Sequence, residues 1–148
     1  MARAPKSRAD VQVLAEIAAI GQLTRNRLER ALPDGLSQAQ FSLLVRLAQH
    51  GAEESPVQLA QAFQVTKGAI TNTLQRLEAQ DFVAIAGDVD DGRRKQVRIT
   101  PAGLAACDRG LKAARPAMDA LRARFTDAQF EAALPFLSAL REWLDENR

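Results

Sequence analysis

The chain has 148 residues, with 20 basic and 18 acidic side chains, so its formal net charge at pH 7 is only +2. This length supports one domain of ordinary size with a real hydrophobic core. No apolar run approaches the roughly 18 residues that a membrane-spanning helix needs, and no signal segment opens the chain, so we expect a cytoplasmic protein with no membrane partner.

The single cysteine and the single histidine limit the chemistry of the chain. They exclude an internal disulfide framework, and together they cannot build a typical structural zinc site. Cys107 lies on an apolar helical stripe, where a small buried hydrophobe is a more common role than a redox sensor. His50 closes a helix, where interaction with the helix dipole or with solvent is favoured over a role in ligand binding. No serine lies on a nucleophile elbow and no glycine-rich phosphate loop is present, so neither an enzyme nor a cofactor or metal site is expected.

The first two helices are predicted from apolar spacing and capping signals. Apolar residues recur at helical intervals from Asp10 to Leu32, and the sequence Pro-Asp-Gly over residues 33–35 ends that helix. Ser37 and Gln40 form a capping box that starts the second helix. The second helix is predicted to bury these apolar residues: Phe41, Leu44, Leu47 and Ala48.

A helix-turn-helix is predicted from Ser55 onward. Ser55 caps a short helix that has Pro56 at its favoured first position. Residues 64–65 form the turn, and Thr66 caps the next helix through its hydroxyl. Such a turn fixes one helix against the other, so that the second helix can enter the major groove of duplex DNA.

The helix after Thr66 is predicted to have one apolar and one polar face and to end near Gln80. Ile70, Leu74 and Leu77 form the apolar face. The polar face is low in acids and carries side chains that can hydrogen-bond base edges or phosphates, although a merely solvated helix face is the alternative. With Thr66, these residues are the predicted DNA contacts of this helix: Lys67, Gly68, Thr71, Asn72, Gln75 and Arg76.

A two-stranded hairpin is predicted to follow. Residues 82–85 and 96–99 have strand patterns, and a turn-rich segment from Gly87 to Gly92 joins them. Asp91 is expected to pin an arginine or the turn, which leaves another arginine free to enter a groove. Three cations at the tip are predicted to reach phosphate or the minor groove: Arg93, Arg94 and Lys95.

Two long helices complete the predicted fold. Thr100 and Pro101 open the first helix, and Pro116 is expected to kink or interrupt it. Thr126 and Gln129 form a capping box for the last helix. On the first of these helices, apolar residues at alternating steps of three and four form a heptad-like stripe: Leu104, Cys107, Leu111, Ala114, Met118, Leu121 and Phe125.

Over nearly its whole length, and most strongly from Leu36 to Gly103, the chain resembles the MarR family of winged-helix transcriptional regulators. The most specific match is in the hairpin, where Asp91 and Arg93 match the family's pattern of an aspartate, one residue and an arginine. By this resemblance Arg93 inherits the groove contact. The chain departs from the family at Gln80 and Asp81, which replace a common basic residue and glycine, and at Val89, which replaces a common proline.

The resemblance implies a mainly α fold with a small β-hairpin wing, in which residues 1–148 form a single chain of the family. Residues 36–100 would be the winged helix-turn-helix lobe, and residues 10–32 and 101–146 the helical dimerisation region. It also implies an obligate homodimer that binds a palindromic operator in double-stranded DNA, usually as a repressor, and is released by a small, frequently aromatic ligand. Polar residues on otherwise apolar helices are the candidate ligand contacts: Thr24, Arg27 and His50. The alternative hypothesis is a dimeric protein-interaction module of the same fold without DNA binding.

Overall fold

The computed structural model describes residues 8–50, 53–87 and 95–147. Within these ranges the chain is mainly helical with one small antiparallel sheet, which confirms the predicted fold class. Its elements in chain order are α1 (Ala9–Ala31), α2 (Gln38–Gln49), β1 (Glu53–Glu54), α3 (Pro56–Phe63), α4 (Lys67–Ala79), β2 (Val83–Ala86), β3 (Gln96–Ile99), α5 (Pro101–Arg124) and α6 (Asp127–Glu146). In the described ranges, no helix is both long enough and apolar enough to cross a membrane.

The two predicted capping boxes are present and begin α2 and α6, and a third capping box, which was not predicted, begins α3. In α2 the Ser37 hydroxyl accepts from the backbone N–H of Gln40 at 3.2 Å, and the Gln40 side chain accepts from the Ser37 N–H at 2.9 Å. Ser55 begins α3, and Thr126 begins α6, with the same reciprocal pair of bonds. Each box satisfies backbone donors that a helix leaves without a partner in its first turn.

The sheet has three strands, in the order β1-β3-β2, where the sequence predicted only a two-stranded hairpin. The added strand β1 pairs Glu53 with Arg98 and Glu54 with Val97. Glu54 also accepts two bonds from the Arg46 guanidinium of α2, at 2.7 and 2.8 Å, and this pairing raises the pKa of Arg46. A strand of two residues is too short to show an alternating sequence pattern. It forms because it pairs with β3 and because Glu54 binds Arg46. In β2, Phe82 was wrongly included, because the strand begins at Val83 and extends to Ala86.

The hydrophobic core joins α2, α3, α4, the sheet and the first half of α5. Its most deeply buried side chains are Leu43, Leu44, Leu47, Leu59, Leu77, Val83 and Val97. The prediction for Ala48 was wrong, because this residue is exposed whereas Leu43 is buried. The buried face of α2 is therefore centred on residues 40–47, one step earlier along the helix than apolar spacing suggested.

The first half of α5 packs closely against the winged-helix core because of two glycines. A Cβ atom at Gly103 would lie 2.0 Å from the carbonyl oxygen of Phe82, and one at Gly110 would lie 2.3 Å from the ring of Phe41. Ala106 and Cys107, between these glycines, are buried. Pro116 does not interrupt α5, contrary to one of the two outcomes expected for it.

The boundary between two compact units falls inside α5, between Ala113 and Ala114. In the second unit, the rings of Phe125 and Phe130 meet edge to face across the start of α6, with centroids 6.3 Å apart. This division is not the division into lobe and dimerisation region expected from the sequence, so a dimerisation region over residues 10–32 and 101–146 stays a prediction.

Candidate nucleic-acid interface

The turn between α3 and α4 is built by one left-handed residue. Gln64 has φ 53° and ψ 45°, and it ends α3. Its N–H donates to the carbonyl of Gln61 at 3.2 Å, and the N–H of Val65 donates to the carbonyl of Ala60 at 3.1 Å. These bonds satisfy the last carbonyls of α3 and turn the chain directly into the start of α4.

Helix α4 begins where the sequence predicted, and its two faces are separated as predicted. The Thr66 hydroxyl caps it by accepting from the N–H of Ala69 at 3.1 Å. Ile70, Leu74 and Leu77 are buried in the core. Of the residues predicted to contact DNA, the seven on or just before this helix are all exposed: Thr66, Lys67, Gly68, Thr71, Asn72, Gln75 and Arg76.

Polar groups on the exposed face of α4 differ in how much hydrogen-bonding capacity remains. The Thr71 hydroxyl donates to the carbonyl of Lys67 at 2.8 Å, so its remaining capacity is as an acceptor. Lys67 and Arg76 form no salt bridge with any other residue in the described ranges. A Cβ atom at Gly68 would meet no atom within 4 Å, so the backbone there is open to approach. Within the described ranges, this face therefore presents an acceptor at Thr71, two cations without a salt bridge and an open backbone at Gly68.

The wing joins the lobe through buried side chains of β2 and β3. Val83, Val97 and Ile99 lie in the core, and the register pairs Val83 with Ile99 and Ile85 with Val97. Lys95, half-buried, comes directly before β3. The predicted tip contacts Arg93 and Arg94 and the predicted stabilising Asp91 lie outside the described residues, so their roles stay predictions.

A groove of about 300 Å³ brings together residues of α4 and of the β2–β3 hairpin. Thr71, Gln75 and Glu78 of α4 line one side, and Ile85 and Lys95 line the other. The structure thus places Lys95 beside two of the residues predicted to contact bases. It also places an acid, Glu78, at this groove, and the sequence prediction did not assign it a role.

A larger cavity of about 460 Å³ lies between α1, the start of α2 and the helix-turn-helix. Its lining combines charged, polar and apolar side chains: Arg25, Glu29, Ser37, Gln38, Ala39, Ser42, Leu43, Phe63, Val65, Ala69, Ile70 and Thr73. Sequence reasoning missed these residues. The signals in the sequence were Arg25 and Glu29, a cation and an acid one turn apart on α1, and the capping box that begins at Ser37.

The residues predicted to contact a ligand do not line this cavity. Thr24 and Arg27 lie exposed on α1, and His50 lies exposed at the end of α2 with its Nδ1 3.2 Å from the carbonyl oxygen of Arg46. That position confirms the expected place of His50 at a helix C-terminus. The role of all three as ligand contacts stays a prediction.

Cys107 is buried, as expected of a small hydrophobe. Burial is the main cause that raises the pKa of its thiol, and the neighbouring charge of Asp108 raises it further. A thiol with a raised pKa is less often a thiolate at neutral pH and is therefore less reactive.

Comparisons with known proteins give a family match over part of the chain and a shared fold over most of it. Residues 34–94 match the sequence model of the MarR family. A probable transcriptional regulator from Pseudomonas aeruginosa has 27% identity and a TM-score of 0.76, over 90% of this chain and 99% of that chain. BpsR of Bordetella bronchiseptica, in a structure concerning regulation of its DNA binding by 6-hydroxynicotinic acid, has 24% identity and a TM-score of 0.77, over 88% and 98%.

A mutant MarR from E. coli, complexed with operator DNA, has 22% identity and a TM-score of 0.79, over 93% of this chain and 99% of that chain. No curated protein sequence matches this chain significantly. Residues 34–94 therefore match the MarR family, and the chain shares the fold of E. coli MarR.

Proposed function

We propose that this chain is a cytoplasmic, homodimeric transcriptional regulator that binds a palindromic operator in double-stranded DNA, acts as a repressor and is released by a small ligand. The observation that carries the proposal is the polar face of α4, exposed directly after a helix-turn-helix. The complex of E. coli MarR with operator DNA supports the use of this fold on DNA. At 22% identity, that likeness extends to the fold alone.

The proposal divides the DNA contacts between helix and wing. Thr71, Asn72, Gln75 and Arg76 are spaced at steps that keep them on one helical face, so they would meet base edges in the major groove. Thr66, Lys67 and Gly68 lie at the N-terminus of α4, where backbone N–H groups and the helix dipole favour phosphate. Arg94 and Lys95 would meet phosphate, and Arg93, with Asp91 holding the turn, would enter the minor groove.

The proposed dimer is supported by apolar side chains left exposed on two helices. On α1 the exposed side chains include Val11, Leu14, Ile20 and Leu23, and on α6 in the second unit they include Phe130, Leu134, Phe136 and Trp143. An apolar surface made of several such exposed side chains along one helix is typical of an interface. A second copy of the chain is the partner that would bury it. Two-fold symmetry would place two recognition helices about 34 Å apart, one turn of DNA.

The proposed effector site is the 460 Å³ cavity beside the helix-turn-helix. Arg25 on its wall forms no salt bridge with another described residue, so it is available to a carboxylate. Phe63 and Ile70 supply apolar surface for a ring. A small aromatic acid or phenol therefore fits both parts of the lining. Because Ile70 belongs to α4, a ligand there would contact the recognition helix itself.

An electrophoretic shift experiment separates this proposal from an interaction module that does not bind DNA. The duplex is the chain's own promoter region, and the control is a shuffled duplex of equal length. The proposal expects a discrete shift of the promoter duplex at protein concentrations that leave the control free. Phenolic and carboxylate compounds are then screened for release of that complex. Equal retention of both duplexes at every salt concentration would contradict specific operator binding.

A further inference from the structure

The connection between α1 and α2 is a turn whose geometry is fixed from both sides. Asp34 has φ 64° and Gly35 has φ 66°, so two consecutive residues adopt the left-handed conformation. A residue other than glycine is uncommon there, and aspartate and asparagine tolerate it best. Leu32 and Leu36, which flank the turn, are both buried in the core. The turn is therefore part of the packed lobe.

Asp34 joins this turn to two other elements. Its carbonyl oxygen accepts from the side-chain Nε2 of Gln80, the residue that ends α4, at 2.9 Å. Its carboxylate Oδ2 accepts from Nε and Nη2 of Arg109, on α5, at 3.2 and 3.0 Å. The Arg109 side chain is 48% exposed and the Asp34 side chain 29% exposed, so this ion pair contributes little to overall stability. The more informative property is the position of Asp34, which contacts Gln80 at the end of α4 and Arg109 on α5 from the turn between α1 and α2.

Both ends of the same turn reach the large cavity. The Glu29 carboxylate, at the end of α1, accepts from the backbone N–H of Gln38, at the start of α2, at 2.9 Å. Glu29 and Gln38 both line the 460 Å³ cavity. A ligand that competes for either group would change the bond that spans the turn holding Asp34.

Gln80, which donates to Asp34, lies at the C-terminus of the recognition helix. After Gln80, the N–H of Asp81 donates to the carbonyl of Glu78 at 2.9 Å, and the N–H of Phe82 donates to the carbonyl of Leu77 at 3.0 Å. These two bonds form the C-terminal capping motif that ends α4. Movement of Gln80 therefore acts on the last turn of the helix that is proposed to enter DNA.

We propose that Asp34 is a positioning residue that couples the cavity to the C-terminal turn of the recognition helix. The Glu29–Gln38 bond connects its turn to the cavity, Gln80 connects it to the helix end, and Arg109 holds it against α5. This inference rests on the proposed function for its biological meaning, and it deepens it by naming the route of regulation. The coupling requires that the cavity and the helix end bias one shared element, and the turn at Asp34 is that element.

The positioning role of Asp34 is tested by amide hydrogen exchange, measured by NMR on the free protein. Asp34→Asn keeps a residue that tolerates the left-handed conformation but removes the charge that binds Arg109. Arg109→Gln removes the same ion pair from the other side. Both variants are expected to speed exchange of the Asp81 and Phe82 amides by about threefold or more, because the helix end opens locally more often. The matched control is Lys112→Gln, which loses an ion pair to Asp108 within α5 itself and is expected to leave those rates unchanged.

The coupling is tested by a double-mutant cycle. Glu29→Ala removes the acceptor of Gln38 at the cavity, and Gln80→Ala removes the bond from Asp34 to the end of α4. Glu29→Ala is expected to speed exchange of the Phe82 amide in the otherwise unchanged protein and to add nothing in the Gln80→Ala background. An equal effect in both backgrounds, or no effect in either, would overturn the proposal.

These exchange measurements contain no DNA and no ligand, so they fail or succeed independently of operator binding. If the exchange measurements show the coupling but the wild-type protein never binds DNA, the proposed function alone is refuted. A protein that binds its operator but shows additive exchange effects would refute the role of Asp34 alone.

Discussion

At the residue scale, the DNA-binding proposal depends on a few side chains of α4. Arg76 is exposed and forms no salt bridge within the described ranges, so its guanidinium is available for guanine or phosphate. The buried side chains on the opposite face, such as Leu74, fix the direction in which this face points. The residues that would read DNA therefore depend on residues that never touch it.

Replacement of Arg76 tests this arrangement directly. Arg76→Ala is expected to weaken binding to the promoter duplex by about 1–3 kcal/mol, the usual loss for a good base contact. Fluorescence anisotropy titration at fixed salt measures the change. Arg115→Ala, which removes an exposed arginine of α5, is the charge-matched control and should leave the affinity within about twofold. Equal losses in the two variants would point to net charge and away from a base contact.

Gly103 tests the close packing of α5 on the lobe. A Cβ atom there would lie 2.0 Å from the backbone oxygen of Phe82, which cannot rotate away as a side chain can. Gly103→Ala is therefore expected to lower the free energy of unfolding by about 3 kcal/mol, at the upper end of the range for overpacking. Gly68→Ala, at a position with open space, should leave it unchanged or raise it by up to about 1 kcal/mol. Denaturant unfolding at equal protein concentration measures both, and a Gly103→Ala protein as stable as wild type would contradict the packing.

At the scale of elements, helix starts were predictable from sequence because their signals are local. Ser37 and Thr126 each lie three residues before a glutamine, and each forms the predicted capping box. Ser55 was predicted only to start a helix with Pro56, and it too forms a capping box, with Gln58. Strand β1 was not predictable, since Glu53 and Glu54 carry no strand pattern and pair with residues more than 40 positions away. They pair only when distant parts of the chain come together in the folded protein.

The candidate site divides in the same way. The exposed face of α4 followed from helical period alone, and the structure confirms that exposure. The cavity could not be predicted from helical period, because Arg25, Ser42 and Phe63 come from three helices and meet only after folding. Polar residues on an apolar helix, such as Thr24 and Arg27, are a weak guide to a pocket when the neighbouring helices are unknown.

The end of α4 carries a residue that the helix does not prefer. Asp81 has φ 62° in the capping motif, where glycine is the usual residue, and its charge lies beside the negative end of the helix dipole. Asp81→Gly is therefore expected to raise the free energy of unfolding by about 1 kcal/mol. The neighbouring change Gln80→Gly, at φ −89°, should lower it, since glycine there only adds freedom to the unfolded chain. Denaturant unfolding compares the two, and a destabilised Asp81→Gly protein would contradict this account of the helix end.

At the scale of the whole molecule, the proposed dimer would bury apolar side chains that are exposed in one copy of the chain. Leu23 on α1 is 67% exposed, and Trp143 on α6 is 60% exposed. Analytical ultracentrifugation at micromolar concentration is expected to show a dimer. Leu23→Glu should shift the protein toward monomer, because a charge at an apolar interface is left without a partner. The control Val57→Glu changes an apolar side chain, 37% exposed, on α3 and outside the proposed dimerisation region, and should shift the equilibrium less. A wild-type protein that sediments only as monomer would contradict the dimer.

The central claim is that two copies of α4 read two halves of one operator. The most direct measurement is selection of bound duplexes from a random-sequence library, followed by sequencing and by titration of the enriched sequence. We expect an inverted repeat whose half-sites are centred about 10 base pairs apart, because recognition helices related by two-fold symmetry lie about one helical turn apart. Loss of enrichment in the Arg76→Ala protein would locate the reading in α4. A library that remains random after repeated selection, with salt-sensitive binding to all duplexes alike, would contradict the claim.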